Sequence, residues 1–335
     1  MYRSARWLSG YDAIWVLTAC LTASLSIVNP EEQALAKRHK DNNILFIRIK
    51  CKTREYNNLA YIRVATTVIA MNRIALLLFC LASIVVGCKD KEAYPKPKGA
   101  LRVVQYNVGV FSKEIDNSIP MVAAMMREIQ ADALSLNELD SCNLRHANYQ
   151  LADLAAEMGG WNHKYSRAMP YLEGAYGVGI AVPNEILSSS TIALPKDSGS
   201  EPRACCVVET PRYVLASTHL DYLSQEAALL QARTITEALK GQYGDSKKPV
   251  ILAGDFNSAP DSEVIKYLSQ DWTILSVKEN TYPSHEANEC IDFIMSLNNK
   301  AKIKVLGSGV PTEFKSGDVA IASDHLPVYL DIRIK

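Results

Sequence analysis

From residue 101 onward, apolar runs of strand length repeatedly end in a carboxylate, an amide or an imidazole. Residues 251–257, Ile-Leu-Ala-Gly-Asp-Phe-Asn, are the sharpest case. Strand side chains alternate with a period of two, so Asp255 and Asn257 are expected to point the same way off the strand's C-terminal end. A carboxylate beside an uncharged amide suits activating a water while holding an oxyanion such as phosphate. A Gly-Asp turn is also an ordinary way to stop a strand, so the segment alone leaves function open.

Between these runs the periodicity turns helical. Strands are expected over residues 101–108, 133–136, 177–182, 204–209, 213–219, 249–256, 291–295, 302–306 and 326–334. Helices are expected over 120–129, over 149–158 with Gly159-Gly160 as the stop, and briefly after Pro260. Ser224 is placed to cap a long helix through Lys240, with Ala227, Leu230, Ile235 and Leu239 on its core side. Many strands with few helices point to two sheets packed together under helical layers. No internal repeat or low-complexity run stands out.

The polar strand ends form a series. Asn107 closes the first strand, and Glu138 follows Ala-Leu-Ser-Leu in the second. His219 and Asp221 follow Val-Leu-Ala-Ser-Thr, Asp292 interrupts Cys-Ile-Asp-Phe-Ile-Met, and Asp324-His325 precede the last strand. Singly, Asn107 reads equally as a turn cap, Glu138 as a solvated loop carboxylate and His219 as a core histidine. Asp292 is harder to explain away, because a carboxylate inside an apolar strand is costly without a partner. Together they offer hard oxygen ligands for Mg²⁺, an imidazole to meet a phosphate and a carboxylate–histidine pair.

Net charge is zero, with 36 Lys and Arg against 36 Asp and Glu, but it is unevenly spread. Residues 1–100 carry 15 basic and 7 acidic side chains, which leaves 21 basic and 29 acidic for residues 101–335. A domain that grips nucleic acid usually has a basic footprint, and this one is acidic. Of eight cysteines, Cys142, Cys205, Cys206 and Cys290 fall in this part. Cys205 and Cys206 are adjacent in a strand and face opposite sides, and no Cys-x-x-Cys pair suggests zinc. All four are expected in the core.

Residues 71–88 have the layout of a secretory signal: Arg73, an apolar stretch from Ile74 to Val86, then Gly87-Cys88. That stretch is short for a bilayer span. Val85-Val86-Gly87-Cys88 resembles the bacterial lipobox, which implies acylation of Cys88 and an exported, lipid-anchored protein. Residues 88–99 then read as an extended tether. Residues 1–70 show no sustained periodicity and are expected to be an over-extended N-terminus ahead of a start at Met71. Leu17-Thr18-Ala19-Cys20 is the competing lipobox, with a shorter, interrupted apolar stretch.

Across residues 100–335 the motifs Gln105-Tyr106-Asn107, Leu136-Asn137-Glu138, Ser217-Thr218-His219-Leu220-Asp221, Gly254-Asp255-Phe256-Asn257, Ile291-Asp292-Phe293-Ile294 and Ser323-Asp324-His325-Leu326-Pro327-Val328 follow one another. In that order they resemble the endonuclease/exonuclease/phosphatase superfamily, with its DNase I-like nucleases, sphingomyelinases and inositol polyphosphate 5-phosphatases. The resemblance implies a four-layered α/β sandwich, two packed, mostly antiparallel sheets flanked by helices, with the site at one rim. It implies Glu138 as ligand to Mg²⁺ (Mn²⁺ as substitute), supported by Asn107 and Asp324. Asp255 would deprotonate the attacking water and Asn257 would hold the phosphate. His219, and His325 paired with Asp292, would stabilise phosphoryl oxygens. Arg203 resembles a position from which a basic residue reaches substrate, whereas Tyr171 and Tyr176 read as packing or loop residues. Many relatives have Gln where this chain has Asn137, and the domain lacks room for long insertions that hold DNA or enter membranes.

Three functions remain in competition. The expected one is a lipid-anchored, Mg²⁺-dependent hydrolase of phosphate esters, acting as a monomer on a small molecule or lipid headgroup rather than nucleic acid. The others are an extracellular nuclease and an inactive binding lipoprotein that keeps the fold.

Overall fold

The computed structural model describes residues 93–335 and two short strands that precede them. Those strands, β1 (Leu35–Lys37) and β2 (Phe46–Arg48), pair antiparallel with Leu35 opposite Arg48. They belong to one compact unit, residues 1–90, and residues 91–335 form the other. The expected signal segment, Cys88 and the alternative Cys20 lie outside the described residues. Among the described residues, no helix is long and apolar enough to cross a membrane.

The second unit is built on two six-stranded sheets. One contains β3 (Leu101–Asn107), β4 (Ala133–Ser141), β5 (Asn162–Tyr171), β6 (Gly174–Val182), β13 (Ile303–Gly309) and β14 (Val328–Ile334), in the order β13-β14-β3-β4-β6-β5. The other contains β7 (Ser188–Ala193), β8 (Ala204–Glu209), β9 (Val214–His219), β10 (Val250–Asp255), β11 (Trp272–Ile274) and β12 (Asp292–Leu297), in the order β11-β12-β10-β9-β8-β7. Inward side chains such as Val103, Ile180, Leu215 and Ile251 meet in one buried core between the sheets. Helices α1 (Ile119–Glu128) and α2 (Gln150–Glu157) cover the outer face of the first sheet. Helices α3 (Gln225–Tyr243) and α4 (Glu263–Leu268) cover the second. A single-turn helix, α5 (Val319–Ala322), precedes the final strand. The result is the expected four-layered, mostly antiparallel sandwich.

In this unit three strands escape the sequence pattern: β5, β7 and β11. Each lies at an edge of its sheet. Strand β7 reads Ser-Ser-Ser-Thr-Ile-Ala and is largely exposed, and β5 is mostly half-buried. An edge strand with a solvated face needs no apolar alternation, so it can pass without such a signal, although the fourth edge, β13, is still legible through Ile303 and Val305. Ser224 caps α3 as expected, its side chain accepting from the Ala227 amide. Leu230 does not join the core side. It is 49% exposed, and the buried stripe runs through Ala227, Ala228, Gln231, Ala232, Ile235 and Leu239. A polar Gln231 holds the inward place because its amide bridges the Asp221 backbone and the Pro195 carbonyl. Cys142, expected in the core, is exposed, whereas Cys205, Cys206 and Cys290 are buried. Within the stretch expected as a tether, the Tyr94 and Pro95 carbonyls accept hydrogen bonds from Arg102, and the Tyr94 ring packs against Phe314 and Tyr329.

One topological feature positions the site. Each sheet has a single parallel pair at its centre, β3 with β4 and β9 with β10, among otherwise antiparallel neighbours. Parallel neighbours end at the same rim, so the four polar strand ends converge. Asn107 lies opposite Asn137, and His219 opposite Asp255. Antiparallel β12 starts where β10 stops, which sets Asp292 beside Asp255. Below this rim a polar seam joins the sheets. Asn137 accepts from the Asp255 backbone amide at 3.0 Å and donates to the Thr218 carbonyl at 2.8 Å.

Candidate active site

A cleft of about 510 Å³ opens at this rim, with Glu138, Arg203, His219, Asp255, Asp324 and His325 among its lining. Each motif residue has a local reason for its place. Gly254 lets β10 approach β9, since a Cβ there would lie 2.1 Å from the Thr218 carbonyl oxygen. Phe256 anchors the turn in the core against Phe293. Glu138 is not beyond the strand end, as the sequence suggests, but inside β4 at a bulge between Leu136 and Leu139. Its φ of +55° takes it out of strand alternation and re-aims the carboxylate into the cleft.

Asp255 occupies the centre and is buried. Its Oδ1 accepts from the Asn257 backbone amide at 2.9 Å. Its Oδ2 faces Asn107 Nδ2 at 3.1 Å, His219 Nε2 at 3.4 Å and His325 Nε2 at 3.6 Å. Burial, reinforced by the nearby Asp292 charge, raises the Asp255 pKa to about 7. Behind His325, Asp292 is held on all sides: Oδ2 accepts from His325 Nδ1 at 3.0 Å and Thr281 Oγ1 at 2.6 Å, and Oδ1 from Gln105 Nε2 at 3.2 Å. The partners that a buried carboxylate demands are therefore present. Burial opposes a charged His325, but Asp292, with help from Asp255 and Asp324, overrides it and raises the imidazole to about 9.

His219 goes the other way. Burial and then the Arg203 guanidinium push its pKa well below the usual histidine value. Arg203 Nη1 lies 3.2 Å from His219 Nδ1, and a guanidinium only donates. Nδ1 must accept, so the neutral ring carries its proton on Nε2, the atom facing Asp255. Arg203 is itself held by Glu201 at 3.2 Å and by the Tyr176 hydroxyl. Tyr176, expected as a packing or loop residue, thus lines the cleft, while Tyr171 lies under the Arg145 guanidinium at 4.9 Å.

Two expected placements differ in detail. Asn257 adopts φ +47°, so it does not continue the β10 alternation, and its side-chain nitrogen donates to the Leu220 carbonyl at 3.0 Å. Asn107 turns its amide oxygen to the Gly109 backbone amide at 3.1 Å and its nitrogen toward Glu138 and Asp255. It bridges the two sides of the cleft. Asp221, singled out with His219, is buried below the rim, where Oδ1 accepts from the Leu223 and Ser224 amides.

Several cleft residues carry no mark in the sequence, among them Tyr222, Tyr282, Glu289 and Lys113. Lys113 Nζ lies 3.1 Å from Asp324 Oδ2 and 3.5 Å from Glu138 Oε2. Burial works against its charge, but the two carboxylates hold its pKa above the ordinary lysine value. Nothing in Phe-Ser-Lys-Glu marks this lysine in the sequence, because it sits in a loop with no periodic pattern. Two groups of donors in the cleft suit a divalent cation. One is the partly exposed Glu138–Asp324 pair, all hard oxygen and already drawing a cationic side chain between them. The other is the buried trio Asp255, Asp292 and His325, whose ligand atoms lie within 4.8 Å of one another. In that trio Asp292 is already committed to Thr281, Gln105 and His325, which leaves the first pair as the better ligand set.

The model of the endonuclease/exonuclease/phosphatase family matches residues 104–325, from within β3 to His325. The chain belongs to this family. As a member it is a phosphoester hydrolase, and solved structures agree on the fold. An endonuclease/exonuclease/phosphatase from Bacteroides vulgatus superposes with a TM-score of 0.58 at 19% identity, covering 71% of this chain and 100% of its own. A Bacteroides thetaiotaomicron protein described as a mannosyl-6-phosphatase gives 0.58 at 19% identity, covering 70% and 99%. The human nocturnin catalytic domain with bound sulfate gives 0.55 at 18% identity, covering 71% and 94%. No curated protein matches the chain significantly by sequence.

Proposed function

We propose that this family member is a divalent-metal-dependent hydrolase of small phosphate esters or phosphorylated headgroups, in which Asp255 activates the attacking water. The observation that carries this reading is the state of Asp255: a buried carboxylate raised to about 7, with one oxygen tied to Asn257 and the other facing both imidazoles. A base poised near neutrality takes a proton from water and can release it again. His325, kept cationic by Asp292, and the Nε2–H of His219 then donate to phosphoryl oxygens as negative charge grows on them. Arg203 adds a fixed positive charge behind His219. Glu138 and Asp324 would hold Mg²⁺ or Mn²⁺, which supplies Lewis-acid polarisation of a phosphoryl oxygen and charge for the leaving group.

The cleft favours a small ester over nucleic acid. Its volume of about 510 Å³ fits a compact ligand, and the five carboxylates Glu138, Glu201, Asp255, Glu289 and Asp324 outnumber the three cations Lys113, Arg203 and His325 in its lining. A polyanionic strand would meet repulsion there. The deciding experiment is a parallel screen with Mg²⁺ and Mn²⁺ against duplex DNA, RNA, sphingomyelin, phosphoinositides and sugar phosphates. Mannose 6-phosphate is included because one structural neighbour is described as a mannosyl-6-phosphatase. Turnover of small or lipid esters is expected, with loss in EDTA; strong DNA cleavage alone would reverse the ranking.

Export and anchoring through acylated Cys88 rest on the lipobox-like Val85-Val86-Gly87-Cys88. Mass spectrometry of the native protein should find an acylated N-terminal Cys88. Peptides from residues 31–70 in the mature protein would rule out the Met71 start.

A further inference from the structure

We infer that Lys113 is a tethered counter-cation that holds the metal corner when no ion is bound and must leave it for a divalent ion to enter. The inference rests on the proposed metal role of Glu138 and Asp324 and concerns how that affinity is set. The Lys113 ammonium lies between these two carboxylates, 3.1 Å from Asp324 and 3.5 Å from Glu138. It is paired with both of the carboxylates that would hold the ion.

The loop that delivers Lys113 is built for this. Val110 and Phe111 follow Gly109 in the left-handed region, at φ +50° and +54°, although one is β-branched and the other bulky. Such backbone costs of order 1–3 kcal/mol per residue and persists only where surroundings enforce it. Here both side chains are buried, Gln150 donates to the Val110 carbonyl at 2.6 Å, and the Ser118 amide donates to the Phe111 carbonyl at 2.7 Å. Gly109, itself at φ +51°, clears the path: a Cβ there would lie 2.5 Å from Lys113 Cγ and 3.0 Å from Asp324 Oδ1. The lysine stem therefore crosses a backbone position that must stay bare for it to reach the carboxylates.

The energetic consequence has a definite sign. Without an ion, Lys113 offsets the repulsion between Glu138 and Asp324. An incoming divalent ion must break both ion pairs and push the ammonium away, so the lysine weakens metal binding. Each partly exposed pair is a modest interaction, and two together amount to about a tenfold effect on affinity.

Calorimetric titration of Mn²⁺ and Mg²⁺ into the metal-free full chain tests this, comparing wild type with Lys113→Met and Lys113→Arg. Lys113→Met should bind Mn²⁺ about tenfold more tightly, and Lys113→Arg should stay near wild type. Equal or weaker binding by Lys113→Met overturns the inference. Thermal unfolding gives a second reading: metal-free Lys113→Met should melt a few degrees below wild type, and saturating Mn²⁺ should close the gap. An unchanged metal-free Tm overturns the counter-cation role. Glu138→Ala separates the two levels of argument. If wild type, Lys113→Met and Glu138→Ala all bind equally well, or none binds, the metal assignment itself fails and this inference falls with it. Tighter binding by Lys113→Met that is abolished in Glu138→Ala supports both.

Discussion

The two sides of the cleft hold similar side chains in opposite physical conditions. On one side Asp255, Asp292, His219 and His325 are all buried, and each is locked by partners from another strand. On the other, Glu138 and Asp324 are partly exposed, with a flexible lysine as their shared partner. Burial moves proton affinities: Asp255 rises to about 7, His325 rises to about 9 and His219 falls. The open carboxylates share the Lys113 ammonium, which on the proposed reading gives way to a divalent ion. Enclosure thus suits one side to moving protons and exposure suits the other to taking up ions, with Asn107 bridging them.

The hardest test of this division is Asp255→Ala. Loss of the proposed general base should lower the turnover rate on the order of 10²-fold or more, and added metal should not restore it. Full activity would remove Asp255 from the chemistry. Glu138→Ala should lower activity through ion affinity, weakened on the order of 100-fold, so saturating Mg²⁺ or Mn²⁺ should recover much of the rate. If excess ion rescues Asp255→Ala and not Glu138→Ala, the sides have been assigned the wrong way round.

Asp292→Asn separates proton affinity from packing. In metal-free protein, NMR should follow the His325 imidazole titrating near 9, because Asp292 favours its charged form. The raised value means that His325 contributes stability below its unfolded-state pKa, lost as pH rises through about 9. Removing the carboxylate should bring that titration down toward ordinary histidine values and cost roughly 2 kcal/mol on denaturant unfolding at neutral pH. The smallest effect is expected from Asn257→Ala. Its amide nitrogen serves the Leu220 carbonyl, so about 1 kcal/mol of stability and less than about tenfold in rate should be lost. A far larger rate loss would show that Asn257, which also lines the cleft, holds the phosphate.

Much of this is legible in the residues alone. The apolar runs and Ser224 located most strands and α3, because interior strands and capped amphipathic helices must carry their burial pattern in the residues themselves. The edge strands β5, β7 and β11 were invisible for the converse reason. Asp292 announced a partner, since a carboxylate in an apolar strand requires one. His325 was paired with it through the family resemblance, and the 3.0 Å contact agrees.

What the residues alone determined was the set of chemical groups and the order in which strands deliver them. Tertiary structure decided how each group behaves. The bulge at Glu138 and the left-handed turn at Asn257 break the alternation on which a linear reading depends, and Lys113 reaches inward from a loop that has none. Two parallel strand pairs bring Asn107, His219 and Asp255 to one rim, and only there do they share a field. Proton affinities and cation sites depend on distance and burial, and those arise when two sheets close over one another.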